Sequence, residues 1–374
     1  MNDLLTMTDS GFYCPAGDFY IDPWRAVERA VITHAHADHA RWGHRRYLTS
    51  SEGLGVLRQR MRADATILPL PYGQAISHGG VQISLHPAGH VLGSAQVRME
   101  YRGRVAVVTG DYKVEADRTC TAFEPVKCHM LVSESTFALP IYRWQPQAVV
   151  FNEINQWWRA NQQKGLASVI MAYSLGKSQR VLAGIDPTIG PIYSHGAVEP
   201  LNRVYRECVI SLPPTSYVSE TLKESRGQPV EWSKSLVIAP PSAAGTPWLR
   251  RFEPHSCSFV SGWMTIRGTR RRQSLDRGFV LSDHADWPGL LWAIHESQAE
   301  EVWLTHGYSA TLARFLTDQG LRAFSVDTRF TGEADVTDST APADAIAPET
   351  TAPADAIAPE TTEPAEEQAA FNLS

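Results

Sequence analysis

Thr33-His34-Ala35-His36-Ala37-Asp38-His39 follows directly on the apolar run Ala30-Val31-Ile32, and its reading decides that of the rest of the chain. In an extended backbone, residues two apart share one side, so His34 and His36 converge on one cation. Where the chain then turns into a helix, Asp38 and His39 face a second cation close by. Imidazole and carboxylate are the ligands that zinc, or another first-row cation, selects. Four such side chains within six residues at a strand end are hard to explain by packing.

Outward from this stretch, three segments repeat one form, a ligand-type residue beside glycine at the end of an apolar run. They are Pro87-Ala88-Gly89-His90-Val91-Leu92-Gly93, Val107-Val108-Thr109-Gly110-Asp111-Tyr112 and Val302-Trp303-Leu304-Thr305-His306-Gly307. Alone, each reads as a turn or cap. Together they complete a binuclear set: His34, His36 and His90 for one metal, Asp38, His39 and His306 for the other, Asp111 bridging. Two divalent cations carry more charge than two carboxylates and a bridging hydroxide cancel, so an anionic substrate is favoured. A close metal pair lowers the pKa of the water between them and clamps both oxygens of a displacement at phosphorus. That suits phosphodiester hydrolysis, with amide, lactone and thioester hydrolysis left open.

Short β-rich runs are predicted as strands, among them Thr66–Leu70, Val81–Leu85, Val105–Thr109, Met130–Ser133, Ser168–Ala172, Leu236–Ala239 and Val302–Thr305. Helical patterns cover Ser51–Met61, Gln147–Gln163, Lys177–Ile185, Val198–Cys208, Trp287–Ser297 and Ala310–Gln319. Strands dominate to about Ser133, and strand–helix alternation from Gln147 predicts a parallel α/β unit.

The chain has 374 residues, 43% hydrophobic, enough for two or three domains. Its net charge of −6 is unevenly spread: Thr331–Ser374 holds ten acidic residues and no Lys or Arg. The remaining body has 34 basic against 30 acidic residues, a net of +4. Thr340–Thr350 (TAPADAIAPET) recurs as Thr351–Thr361, and this composition predicts a disordered acidic extension. Its role is either solubilising or that of a DNA-mimicking competitor for the basic body. No apolar run approaches the ~18 residues of a membrane span, and nothing near Met1 reads as a signal peptide. Five cysteines without a Cys-x-x-Cys pair argue against a disulfide scaffold or thiolate zinc site. A cytoplasmic protein without membrane association is expected.

The His34-x-His36-x-Asp38-His39 motif, with its separate His, Asp and His ligands, resembles the metallo-β-lactamase fold. Three further segments resemble its β-CASP nuclease branch: Val132-Ser133-Glu134-Ser135-Thr136-Phe137, Leu281-Ser282-Asp283-His284-Ala285-Asp286 and Thr305-His306-Gly307. Gly176-Lys177-Ser178-Gln179-Arg180 and Ser261-Gly262-Trp263-Met264 are similar to segments of the β-CASP cap. Gly17–Trp24, His86–Gln96 and the Arg270-Arg271-Arg272…Asp276-Arg277-Gly278-Phe279 stretch look like the bacterial ligase-associated DNA exonucleases. The resemblance covers about Gly11 to Phe330.

It implies an αββα sandwich with an inserted α/β cap: residues 1–146 and 277–330 for the metallo-β-lactamase domain, 147–276 for the cap, 331–374 for the acidic tail. It implies two divalent ions (Zn²⁺, with Mn²⁺ the alternative) and a DNA exonuclease acting in repair beside an ATP-dependent ligase. Asp22 would orient the histidine loop; its alternative is an Asx-Pro turn. His284 would protonate the leaving oxygen or hold a phosphate oxygen, and Glu134 would orient His284. Asp38 would be both a ligand and part of the catalytic set.

Arg267, Arg270, Arg271, Arg272 and Arg277 form a basic cluster suited to a phosphate backbone. Arg41, Arg45 and Arg46 follow the metal loop, and Lys177 begins a helix, where phosphate is favoured. Trp157 and Trp158 either fill the cap core or stack bases. The same motifs fit RNA as substrate, and a small-molecule metallohydrolase would leave the cap and the arginines unexplained.

Overall fold

Successive residues of Val105-Ala106-Val107-Val108 point to opposite sides of their strand. Ala106 and Val108 enter one apolar core, Val105 and Val107 another. A strand apolar on both faces is covered on both, and the layering of the molecule follows from it. The structure, a computed structural model, describes residues 4–266 and 276–330.

The first sheet runs in order β1 (Thr6–Thr8), β2 (Gly11–Cys14), β3 (Phe19–Ile21), β4 (Arg29–Val31), β5 (Arg46–Ser50) and β6 (Thr66–Leu70). It is antiparallel to β3 and parallel from β3 onward. The second contains β7 (Ala75–His78), β8 (Val81–Pro87), β9 (Ala95–Tyr101), β10 (Arg104–Val108), β11 (Met130–Ser133), β18 (Glu301–Leu304) and β19 (Arg322–Ser325). Its β7–β10 form an antiparallel meander, and β11, β18 and β19 continue it in parallel.

The core containing Ile21, Val31, Leu48, Ile83, Val97 and Val108 draws on both sheets and lies between them. The outer face of the second sheet is covered by α7 (Trp287–Ser297) and α8 (Ser309–Asp318), through Leu290, Ile294, Leu312 and Leu316. That of the first is covered by α1 (Leu54–Arg58) and α4 (Glu199–Glu207), through Val56, Leu57, Val204 and Tyr205. Two helix layers thus enclose two sheets.

A third sheet is parallel throughout, in order β14 (Ser216–Tyr217), β13 (Ile192–Ser194), β15 (Leu236–Ala239), β12 (Ala167–Met171), β16 (His255–Val260) and β17 (Arg277–Phe279). Between its strands lie α3 (Lys177–Gly184), α4, α5 (Val218–Glu224) and α6 (Pro247–Arg250), with α2 (Gln147–Gln163) before β12. The chain is therefore a mixed α/β protein of several sheets, as its strand–helix alternation implies. Trp157 and Trp158 are buried in the core beneath α2, and Trp158 Nε1 donates to Lys234 O at 3.2 Å, so they pack rather than stack on a ligand. None of the five cysteines is paired. Among the described residues no helix is long and apolar enough to cross a membrane.

Candidate metal centre

β4 ends one residue after Ala30, and Ile32 and Thr33 carry the extended chain to the sheet rim, where Thr33 O accepts from Ala95 N at 2.8 Å. Beyond it the chain makes a single turn, closed by Ala40 N donating to His36 O at 2.8 Å, where the sequence suggests a helix. That turn suffices to bring Asp38 and His39 round. Asp111 reaches the same rim from β10 through Gly110, whose φ is +58 and whose added Cβ would stand 2.6 Å from Thr33 Oγ1. Only glycine admits that approach.

The first group is His34, His36, His90 and Asp111. His36 Nδ1 lies 3.2 Å from His34 Nε2 and 3.0 Å from His90 Nε2. Asp111 Oδ2 is 3.5 Å from His34 Nε2 and 3.8 Å from His90 Nε2. Ligands about 2.1 Å from a tetrahedral zinc stand roughly 3.3 Å apart, so the spacing fits. The outer nitrogen of each ring is held by an oxygen: His34 by Thr33 Oγ1 at 3.0 Å, His36 by Leu175 O at 3.2 Å, His90 by Asp283 O at 2.9 Å. Such partners fix which nitrogen faces a metal. Burial pushes His34, His36 and His90 below the ordinary histidine pKa, toward the neutral form that ligates.

Asp111 Oδ1 turns to the other side, 3.6 Å from His39 Nε2 and 3.3 Å from His306 Nε2. Asp38 Oδ2 lies 3.9 Å from His39 Nε2. His39 Nε2, His306 Nε2 and Asp111 Oδ1 are all buried without a hydrogen-bond partner. Buried polar atoms are seldom left so, and three converging ones are what a cation would satisfy. Burial lowers the pKa of His39, but Asp111, Asp38 and Asp22 outweigh it and lift it to about 10. Burial likewise opposes ionisation of Asp111, but His39 and His284, with other neighbours, hold it well below the usual carboxylate range.

Asp22 sits at φ +44, a region that aspartate tolerates better than most residues. Its carboxylate accepts from Thr33 N at 2.8 Å, Thr33 Oγ1 at 2.5 Å and His39 Nδ1 at 2.7 Å. Asp22 also lies close to His34, yet both its oxygens are engaged by these bonds, so it orients rather than ligates. Glu134 is used in the same way: it accepts from Tyr112 N at 2.7 Å, Thr136 Oγ1 at 2.5 Å and His284 Nδ1 at 2.8 Å. The His284 ring stands 4.7 Å from that of His90, within an aromatic wall of Phe137, Trp144 and Trp263. Phe330 lies flat on His39, ring centroids 4.2 Å apart at 9°.

The proposed phosphate contacts fare differently. Arg277 is exposed, paired with Glu153 at 3.4 Å; Arg267, Arg270, Arg271 and Arg272 lie outside the described residues, as does the acidic tail. Lys177, expected at a phosphate, is a correction. Its side chain is 0% exposed and its Nζ is 3.0 Å from Asp283 Oδ1. An ammonium committed to a buried carboxylate cannot reach a nucleic-acid backbone. Lys177→Met should lower the unfolding free energy by about 3 kcal/mol, read from a denaturant midpoint. Arg46 is also withdrawn: it lies in β5, buried, with Nη1 2.7 Å from Glu28 Oε1. Missed in the sequence were Thr33, the carbonyls of Leu175 and Asp283, and Arg180. Only Thr33, polar at the end of an apolar run, carried a visible signal.

No protein-family model matches the chain. Over 318 residues, 84% of its length, it is 30% identical to a "Probable DNA ligase" of Opitutus terrae, covering 30% of that protein. It is 26% identical over 140 residues to the endoribonuclease YSH1 of Saccharomyces cerevisiae, 37% of this chain and 18% of that one. With cleavage and polyadenylation specificity factor subunit 3 of Dictyostelium discoideum it shares 29% identity over 119 residues, 31% of this chain and 15% of that one. The chain thus spans less than a third of the length of each of these relatives. Its similarity is to one protein named as a ligase and to two named as an endoribonuclease and a polyadenylation factor subunit.

Proposed function

We propose that the chain is a metal-dependent phosphodiesterase that degrades DNA as an exonuclease, in cytoplasmic DNA repair beside an ATP-dependent ligase. Residues 1–146 and 277–330 would form a metallo-β-lactamase αββα sandwich and 147–276 its β-CASP cap, except that β17 (Arg277–Phe279), just past that boundary, belongs to the cap's sheet. Residues 331–374 would be the acidic extension. The observation that carries the reading is Asp111, one oxygen turned to His34 and His90, the other to the Nε2 atoms of His39 and His306, which have no hydrogen-bond partner. His34, His36, His90 and Asp111 would hold one Zn²⁺ or Mn²⁺, and Asp38, His39, His306 and Asp111 the other. Bound there, such ions supply Lewis acidity and activate water at neutral pH.

The chain's own residues do the rest. Asp22 keeps His39 Nδ1 occupied and, through Thr33, steadies His34, so both rings present Nε2 inward. Glu134 accepts a hydrogen bond from His284 Nδ1–H, leaving Nε2 to deliver a proton to the departing sugar oxygen. Trp144 Nε1 donates to His284 O at 2.9 Å and fixes that loop. Arg277, with Arg267, Arg270, Arg271 and Arg272, would bind the phosphate backbone.

The ligase-named relative supports DNA, and the endoribonuclease relative favours a second reading, the same chemistry on RNA. Matched DNA and RNA strands labelled at either end, with Zn²⁺ or Mn²⁺ added, test both. DNA shortened stepwise from one end is expected. Cleavage of RNA alone turns the reading to the second, and no cleavage of either overturns it.

A further inference from the structure

Arg180 is 1% exposed and joins three segments that reach the metal centre. Its Nη2 donates to His90 O at 3.0 Å and its Nη1 to Ser282 O at 2.7 Å. Its Nε lies 3.1 Å from Asp117 Oδ2, and Nη1 3.6 Å from Asp283 Oδ1. One guanidinium on α3 thus meets the His90 loop, the segment beyond Asp111 and the residues just before His284. Asp283 is gripped from the same helix a second time, by Lys177, and its backbone carbonyl holds His90 Nδ1. Leu175, on the loop leading into α3, offers the carbonyl that holds His36 Nε2. Of the three histidines of the first group, His36 is therefore oriented by the third-sheet unit itself, and His90 through Asp283, a residue beyond that unit which Arg180 and Lys177 grip from it. The third, His34, is oriented locally by Thr33, and the second group has Asp22 and Thr305 behind His39 and His306.

We infer that Arg180 is a positioning residue for the first metal group: it locks α3 onto the His90 and Asp283 loops, so that His36 and His90 face inward only when the third-sheet unit is docked. The inference rests on the two-metal reading above and adds an asymmetry, with one half of the centre built by the third-sheet unit and the other independent of it. A planar fork with several fixed donors is required for these contacts, and lysine, a single point charge, cannot supply them together.

The test is metal binding, not turnover. Wild-type chain, Arg180→Lys and Asp117→Asn are stripped of metal and titrated with Co²⁺, which reports each site by its visible spectrum, and with Zn²⁺ by calorimetry. Arg180→Lys should weaken the first site by about 10–100-fold with the second unchanged. Asp117→Asn, which frees the guanidinium on one side only, should show a smaller loss in the same direction, and decides the matter should Arg180→Lys fail to fold. Wild-type affinities in the folded variants, or equal weakening of both sites, would make Arg180 an ordinary core ion pair and overturn the inference. A wild-type chain that takes up no Co²⁺ or Zn²⁺ would instead remove the metal reading itself, a separately recognisable result.

Discussion

Asp111→Ala should abolish cleavage of end-labelled DNA, by at least ~10⁴-fold or about 5.5 kcal/mol of transition-state stabilisation, and leave fewer than one metal ion per chain. The size of the effect follows from position. Asp111 is 2% exposed, and its two oxygens divide between the two groups of imidazoles. Without it, Asp38 would be the one carboxylate left facing the two sites to balance two dications, and a buried charge so poorly compensated is costly. The wild-type chain should gain about 2.7 kcal/mol of stability at a metal concentration a hundredfold above its dissociation constant, and the variant should gain almost none. Thermal unfolding with and without Zn²⁺ reads this directly. A variant that still cuts at the wild-type rate removes the proposed function.

His284→Ala is expected to separate chemistry from metal binding. The ring approaches the first group without joining it, and its Nδ1 is already committed to Glu134. A lost proton donor costs typically ~10²–10⁴-fold in turnover, with metal content at the wild-type level. Glu134→Gln keeps an acceptor for Nδ1 but loses the charge, so a smaller loss, about 10–100-fold, is expected. Single-turnover rates beside metal analysis check both. Loss of metal from the His284 variant would make that histidine a ligand, contrary to the role proposed for it.

Much of the fold was legible because burial imposes its own period. Gln147–Gln163 and Trp287–Ser297 end in the structure where their helical patterns do, and Thr66–Leu70, Met130–Ser133 and Leu236–Ala239 likewise as strands. β5 was hidden, since Arg46-Tyr47-Leu48-Thr49-Ser50 reads as polar yet all five residues are buried. Its polar groups are satisfied by partners remote in sequence: Glu28 for Arg46 and Gly93 O for Ser50. The metal-facing residues were legible as types at strand ends. Their supports were not, because a carbonyl such as Leu175 O has no side-chain signature. Lys177 misled for a related reason: a lysine at a helix start looks solvated until a distant Asp283 is folded against it.

Phe330 closes the described part of the chain and lies face to face with His39. Its ring also meets Trp24 and His306 edge-on. Anyone trimming the acidic run to obtain crystals therefore has a sharp limit. A stop codon just after this phenylalanine keeps the panel behind the imidazoles, and one placed a residue earlier takes it away, so that lost activity would be mistaken for a property of the tail.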